Sequence, residues 1–153
     1  MKKVILVSIL FALSFTGCRN RDRGPDIIEI RETMFIAQIN SIILNSRDYV
    51  GRTIKIEGFL KENHWSDKNW YYIIRNGPGC CGDDGEIGFE ISWNPDYNGS
   101  NDNTGQRAFP DPGEWIEAIG ELKRYNFMGM DFLYIALSEL NVLETRGAEF
   151  VIR

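Results

Sequence analysis

Cys80 and Cys81 stand side by side after an Asn76-Gly77-Pro78-Gly79 turn, and Asp83, Asp84 and Glu86 follow, so soft and hard ligands crowd a stretch of seven residues. Thiolate and carboxylate donors suit Zn²⁺, which usually takes about four ligands in a tetrahedron, and His64 in the first hairpin is the nitrogen ligand that would complete the set. Adjacent cysteines share one ion only if the backbone bends between them, because paired zinc cysteines usually have about two to four residues between them. Three other chemistries compete: a vicinal disulfide in a strained ring, a redox dithiol, or a structural pair with one sulfur packed inward and the other facing water. Two free thiols in an exported protein call for a reason, since that compartment oxidises them.

His64 is the chain's single histidine, within Lys61-Glu62-Asn63-His64-Trp65-Ser66-Asp67-Lys68. It reads as a solvated hairpin tip and becomes a ligand only if folding brings it to Cys80. A hydrolytic triad would have to use this same residue, so no enzyme is read here. Asp96 to Asp102 alternates oxygen donors like the start of a calcium loop, yet Asn101 stands where an EF-hand needs Gly and Arg107 where it needs Glu. It reads as a polar loop. Trp65, Trp70, Tyr71, Tyr72, Trp93 and Trp115 form a generous aromatic supply, most of it expected inside. Trp65 and Tyr71 are the expected exposed ligand surface, because their neighbours Trp70 and Tyr72 compete for the interior.

These residues must be carried by a body that begins after a leader. Lys2 and Lys3, an apolar run from Val4 to Phe15 and the small-residue exit Thr16-Gly17 have the three parts of an export signal, too short to span a bilayer. The Phe15-Thr16-Gly17-Cys18 end resembles the lipobox of bacterial lipoproteins. That resemblance implies cleavage before Cys18 and acylation of its thiol, and two or more acyl chains hold a protein on a membrane. Cleavage at another small residue would instead leave a secreted protein with Cys18 as an ordinary thiol. The expected division is a signal peptide over 1–17, a polar tether over 18–27 and one domain over 28–153. Arg19 lacks the aspartate that retains some lipoproteins at the inner membrane, which points outward. The leader holds two of the 17 basic side chains and none of the 22 acidic ones, so the mature chain carries 15 against 22, a formal net charge of −7. An exported acidic body repels phosphate backbones, and no nucleic-acid partner is expected.

Apolar residues Ile28, Met34, Phe35, Ile39, Ile42 and Ile43 recur at helical spacing, which predicts a helix centred on Thr33 to Asn45. Thr53 to Leu60, Trp70 to Arg75, Glu86 to Trp93, Trp115 to Lys123 and Phe132 to Leu143 read as strands. Glu86 to Trp93 alternates most clearly, placing Ile87, Phe89, Ile91 and Trp93 on one face and Glu86, Gly88, Glu90 and Ser92 on a wet one. Residues 94–113 read as a long surface loop. One helix and five strands without a βαβ pattern predict a mainly β fold: a small antiparallel barrel of the oligonucleotide/oligosaccharide-binding (OB) type, preceded by an amphipathic helix. An open five-stranded sheet packed on the helix is the alternative.

Three segments carry a further resemblance: Tyr49-Val50-Gly51-Arg52-Thr53-Ile54-Lys55-Ile56-Glu57-Gly58-Phe59, then Tyr72-Ile73-Ile74-Arg75 with Cys80-Cys81-Gly82-Asp83-Asp84, and Trp115-Ile116-Glu117-Ala118-Ile119-Gly120-Glu121-Leu122. Their order resembles the C-terminal domain of the YcgQ-like family of bacterial membrane-associated proteins. Gly82-Asp83-Asp84 departs from that family's Ala-Asp-Ala, and a lipid anchor stands where the family has membrane spans. The resemblance implies a fold and no established reaction. The expectation is a lipid-anchored, non-enzymatic binding module of the cell envelope, taking a partner protein or a zinc ion. Its rival is a thiol-redox or metal-transfer protein using Cys80 and Cys81.

Overall fold

The computed structural model describes residues 27–65, 68–78, 84–99 and 107–152. Along the chain lie β1 (Ile28–Glu29), a 3₁₀ turn (Glu32–Met34), α1 (Phe35–Leu44), α2 (Ser46–Tyr49), β2 (Thr53–Trp65), β3 (Lys68–Pro78), β4 (Asp84–Ser92), β5 (Trp115–Phe127) and β6 (Met130–Val142). The expected helix is present, opened by the 3₁₀ turn, and its stripe of Phe35, Ile39 and Ile42 is buried in the main core with Ile54, Ile56, Ile73, Ile91 and Ile135. Each such side chain contributes about 1.5–3 kcal/mol by leaving water.

The strands outrun their apolar patterns. β2 continues five residues past Leu60 as Lys61–Trp65, half-buried to exposed, because beyond the main core it pairs with β3 in a hairpin arm. β5 and β6 form a second arm, turned at Met128 and Gly129, whose φ values of 53° and 83° match the twist of the paired strands.

Ring closure depends on β2, which pairs with β5 over Thr53–Phe59 and with β3 over Phe59–Trp65. The strand order β2-β3-β4-β6-β5, with β5 returning to β2, is that of a five-stranded OB-like barrel. The wholly antiparallel expectation needs correction. The connection after Ser92 brings β5 in antiparallel to β2, so β6, antiparallel to β5, runs alongside β4 in the same direction. β1 also joins β2 in parallel.

Arg75, 1% exposed, closes one side of the molecule. Its Nε donates to the Glu57 carbonyl at 2.9 Å, and its Nη1 donates to Glu32 Oε2 at 2.9 Å and to the Ala148 carbonyl at 3.0 Å. The guanidinium lies 4.9 Å from the Phe35 ring centre and 4.8 Å from that of Trp115. The backbone N–H of Ala148 also donates to Glu32 at 2.7 Å; this bond, then Arg75, holds the Glu32 carboxyl below its usual range. One buried cation thus ties the segment before the helix to the chain's C-terminal stretch, which Asn76 docks by accepting from Val151 N–H at 2.8 Å.

Candidate functional site

β4 and β6 touch through three pairs only: Glu90 with Tyr134, Ile91 with Ile135 and Ser92 with Ala136. Before that seam they part, Asp84–Phe89 staying with β3 and Met130–Leu133 with β5. The gap is a cavity of about 670 Å³ between the two hairpin arms. Trp65, Trp70 and Tyr72 wall it from one arm, and Tyr125, Phe127 and Phe132 from the other. Gly88 and Glu90 of β4 line it between them. A Cβ on Gly88 would stand 1.9 Å from the Ile73 carbonyl oxygen, so only glycine lets β4 lie this close to β3.

The walls belong to a second cluster of buried side chains, Trp70, Tyr97, Tyr125, Tyr134 and Ala136, separate from the main core. Tyr97 meets Tyr125 edge-on with ring centres 5.1 Å apart, Tyr125 stacks on Phe132 at 5.4 Å, and Trp65 tilts over Trp70 at 6.0 Å. Such pairs contribute roughly 0.5–1.5 kcal/mol beyond their burial and hold the rings in fixed orientations.

Glu90 is the charge-bearing group set deepest in this cluster, 6% exposed. The Tyr97 hydroxyl donates to its Oε1 and the Tyr125 hydroxyl to its Oε2, the latter at 2.7 Å. Among the described residues no lysine or arginine forms an ion pair with it. Burial raises the Glu90 carboxyl above its usual range, against the two hydroxyl donors, which lower it. Burial first, and the neighbouring Glu90 next, push Tyr72 up to about 12 and take Tyr97 and Tyr125 well above the ordinary phenol range. The phenols stay protonated as donors. At the mouth, Arg124 is engaged with Asp131 at 3.6 Å and with the Ser46 hydroxyl at 3.0 Å.

This corrects the wet face expected of β4 at its C-terminal half, while Glu86 is exposed as expected. Glu90 and Ser92 are buried because the chain after β4 folds back over them. Asp96 N–H donates to Asn94 Oδ1, the Pro95 carbonyl accepts from the Tyr134 hydroxyl at 2.8 Å and from Lys123 at 3.0 Å, and Tyr97 drops onto Glu90. The surface loop expected over 94–113 is therefore part cover: Tyr97 is 3% exposed, and Phe109 stacks on Tyr71 with ring centres 4.0 Å apart.

The other expected site residues separate. Trp65 is 62% exposed and lines the cavity. Tyr71 does not: it packs against the main core and donates to Glu62 at 3.1 Å, while Tyr72 faces the cavity. The strand's phase is set by Ile73 and Arg75, which share the face of Tyr71. His64 is exposed, pairs with Asn69 at one end of β3 and shares a hydrogen bond with it. Asp84 opens β4 opposite Pro78 at the other end, roughly 30 Å of strand away at ~3.3 Å per residue, so the fold does not bring His64 to Asp84. Cys18, Cys80, Cys81 and Asp83 lie outside the described residues. Among the described residues no helix is long and apolar enough to cross a membrane. Sequence reasoning missed Glu90, Tyr72, Tyr125 and Phe132 as a group; a carboxylate among aromatic strand residues was the available signal.

Residues 15–151 match the DUF1980 C-terminal domain family. No curated protein matches the chain. Among solved structures, the dimeric N-terminal domain of PriB protein from Thermoanaerobacter tencongensis is similar at 17% identity, with 61% of this chain and 97% of that one covered and a TM-score of 0.32.

Proposed function

The chain belongs to the DUF1980 C-terminal domain family, and from that premise we propose that it is a lipid-anchored module of the cell envelope that binds a small ligand without transforming it. The observation that carries this reading is the aromatic cavity with Glu90 in its lining. Its volume falls within the roughly 300–1,000 Å³ of small-molecule sites, and it has their composition, mostly apolar walls with a few placed polar groups. It also lies between the β2–β3 and β5–β6 connections, the region in which OB barrels bind their ligands, a fold-level analogy. The single histidine, out on an exposed arm and engaged with Asn69, favours holding over catalysis. The leader and Cys18 supply the anchor in this reading, and an envelope protein is the natural source or recipient of the ligand.

Heteronuclear NMR of the mature chain against a set of amines, sugars, nucleosides and short peptides tests it. Shifts gathered on Tyr72, Tyr125, Phe127 and Phe132 support a ligand cavity. Shifts confined to other surfaces, or none from any compound, overturn it.

A further inference from the structure

We infer that the occupant of this cavity is a small organic cation, an ammonium group held against Glu90 and faced by Trp65, Trp70 and Tyr72. The inference rests on reading the cavity as a ligand site. A carboxylate has about four acceptor positions, and the two tyrosine hydroxyls fill only part of that capacity. Among the described residues nothing cationic pairs with it, although a buried charge is ordinarily paired. Around it the lining is rich in aromatic side chains, whose rings attract a cation most strongly where water is excluded, and the one cationic side chain in the lining, Arg124, is paired with Asp131.

The competing chemistries fit less well. An anion would meet Glu90. A polyol needs many free hydrogen-bonding groups, but the Tyr97 and Tyr125 hydroxyls are committed to Glu90 and Arg124 to Asp131 and Ser46. A purely apolar guest would bury the carboxylate further with no compensation. An ammonium group with methyl or methylene substituents satisfies both the charge and the rings.

The test is titration of the full mature chain, read by NMR and tryptophan fluorescence, with choline chloride, its uncharged isostere 3,3-dimethylbutan-1-ol, and glucose. Phosphatidylcholine vesicles form a separate arm that tells a free cation from a lipid headgroup carrying the same ammonium chemistry. Choline, free or as headgroup, should saturate at the cavity and bind at least tenfold more tightly than the isostere. Glu90→Gln should abolish that preference, and Trp65→Ala, an exposed wall position with no core to disturb, should weaken choline severalfold even if Glu90→Gln fails to fold. Equal binding of choline and isostere, or saturation by glucose alone, overturns the cation while leaving the cavity as a ligand site. Silence of the cavity resonances to every probe here and in the wider ligand set removes both.

Discussion

Tyr125 on β5 donates its hydroxyl hydrogen to Glu90 on β4 over 2.7 Å, reaching past β6, which lies between those two strands in the sheet. The bond therefore spans a seam that backbone pairing holds at only three positions. Tyr125→Phe keeps the ring and its stacking on Phe132 but deprives a buried carboxylate of one donor. The expected loss is about 1–3 kcal/mol, read from urea denaturation. A loss within error of zero would mean that the bond does not form.

Glu90 sets a pH signature. Its folded-state pKa lies above the ordinary value of 4.5, so as pH rises past that value the unfolded chain ionises first and stability falls until the folded carboxyl has also ionised. Glu90→Gln lacks this loss. Subtracting the stability of Glu90→Gln from that of wild type should give a difference that declines from pH 4 upward, and a flat or rising difference contradicts the assignment. Glu32 behaves oppositely: its lowered pKa gives stability that is present above 4.5 and lost as pH falls. That contribution is common to both proteins and cancels in the subtraction.

Arg75→Met should leave the Glu57 and Ala148 carbonyls without this donor and Glu32, itself half exposed, with only the Ala148 N–H, at a cost of about 1–3 kcal/mol. Arg75→Lys should restore little, since one ammonium cannot fork between Glu57 and Glu32 while stacking on Phe35 and Trp115. Limited proteolysis reads the local effect: cleavage between residues 144 and 152 should accelerate in both variants before the barrel itself is cut.

Gly88→Ala puts a methyl group into the Ile73 carbonyl. Strand separation is the only relief, so a destabilisation of about 3 kcal/mol or more is expected, at the upper end of overpacking costs. Thermal denaturation measures it, and a near-native melting temperature would show that β3 and β4 are not in such close contact.

Cys18→Ser should release the mature chain from the membrane fraction, and wild type should carry acyl chains on its first residue by intact-mass spectrometry. A wild-type protein of unmodified mass, or one starting elsewhere, removes the anchor.

The helix and the five barrel strands were legible because one-sided burial leaves its period in the chain: Phe35, Ile39 and Ile42 for the helix, Ile54 and Ile56 for β2. The barrel's direction of closure was not, because the parallel meeting of β4 with β6 depends on the route between Ser92 and Trp115, which has no period to read. The same route hid the cavity. Alternation places Glu90 opposite Phe89 and Ile91 and correctly assigns it to the other face, but only a buried Tyr97, arriving from a polar loop, makes that face dry. On β3, Trp70 to Ile74 is aromatic or β-branched throughout, so hydropathy could not choose the phase and Tyr71 and Tyr72 were exchanged. Of the Cys80 cluster only Asp84 lies among the described residues, and His64 stands at the other end of β3 from it, a separation that depends on strand length and register rather than on any local motif.

Three rungs at the β4–β6 meeting make this ring of strands a bracelet with a short clasp, while the joints on either side run the length of their strands. Thermal breathing would start there, widening the gap without disturbing the helix or the Arg75 tie. A guest lodged between Trp70 and Phe132 would fasten the clasp from outside, and the whole hoop would stiffen around it.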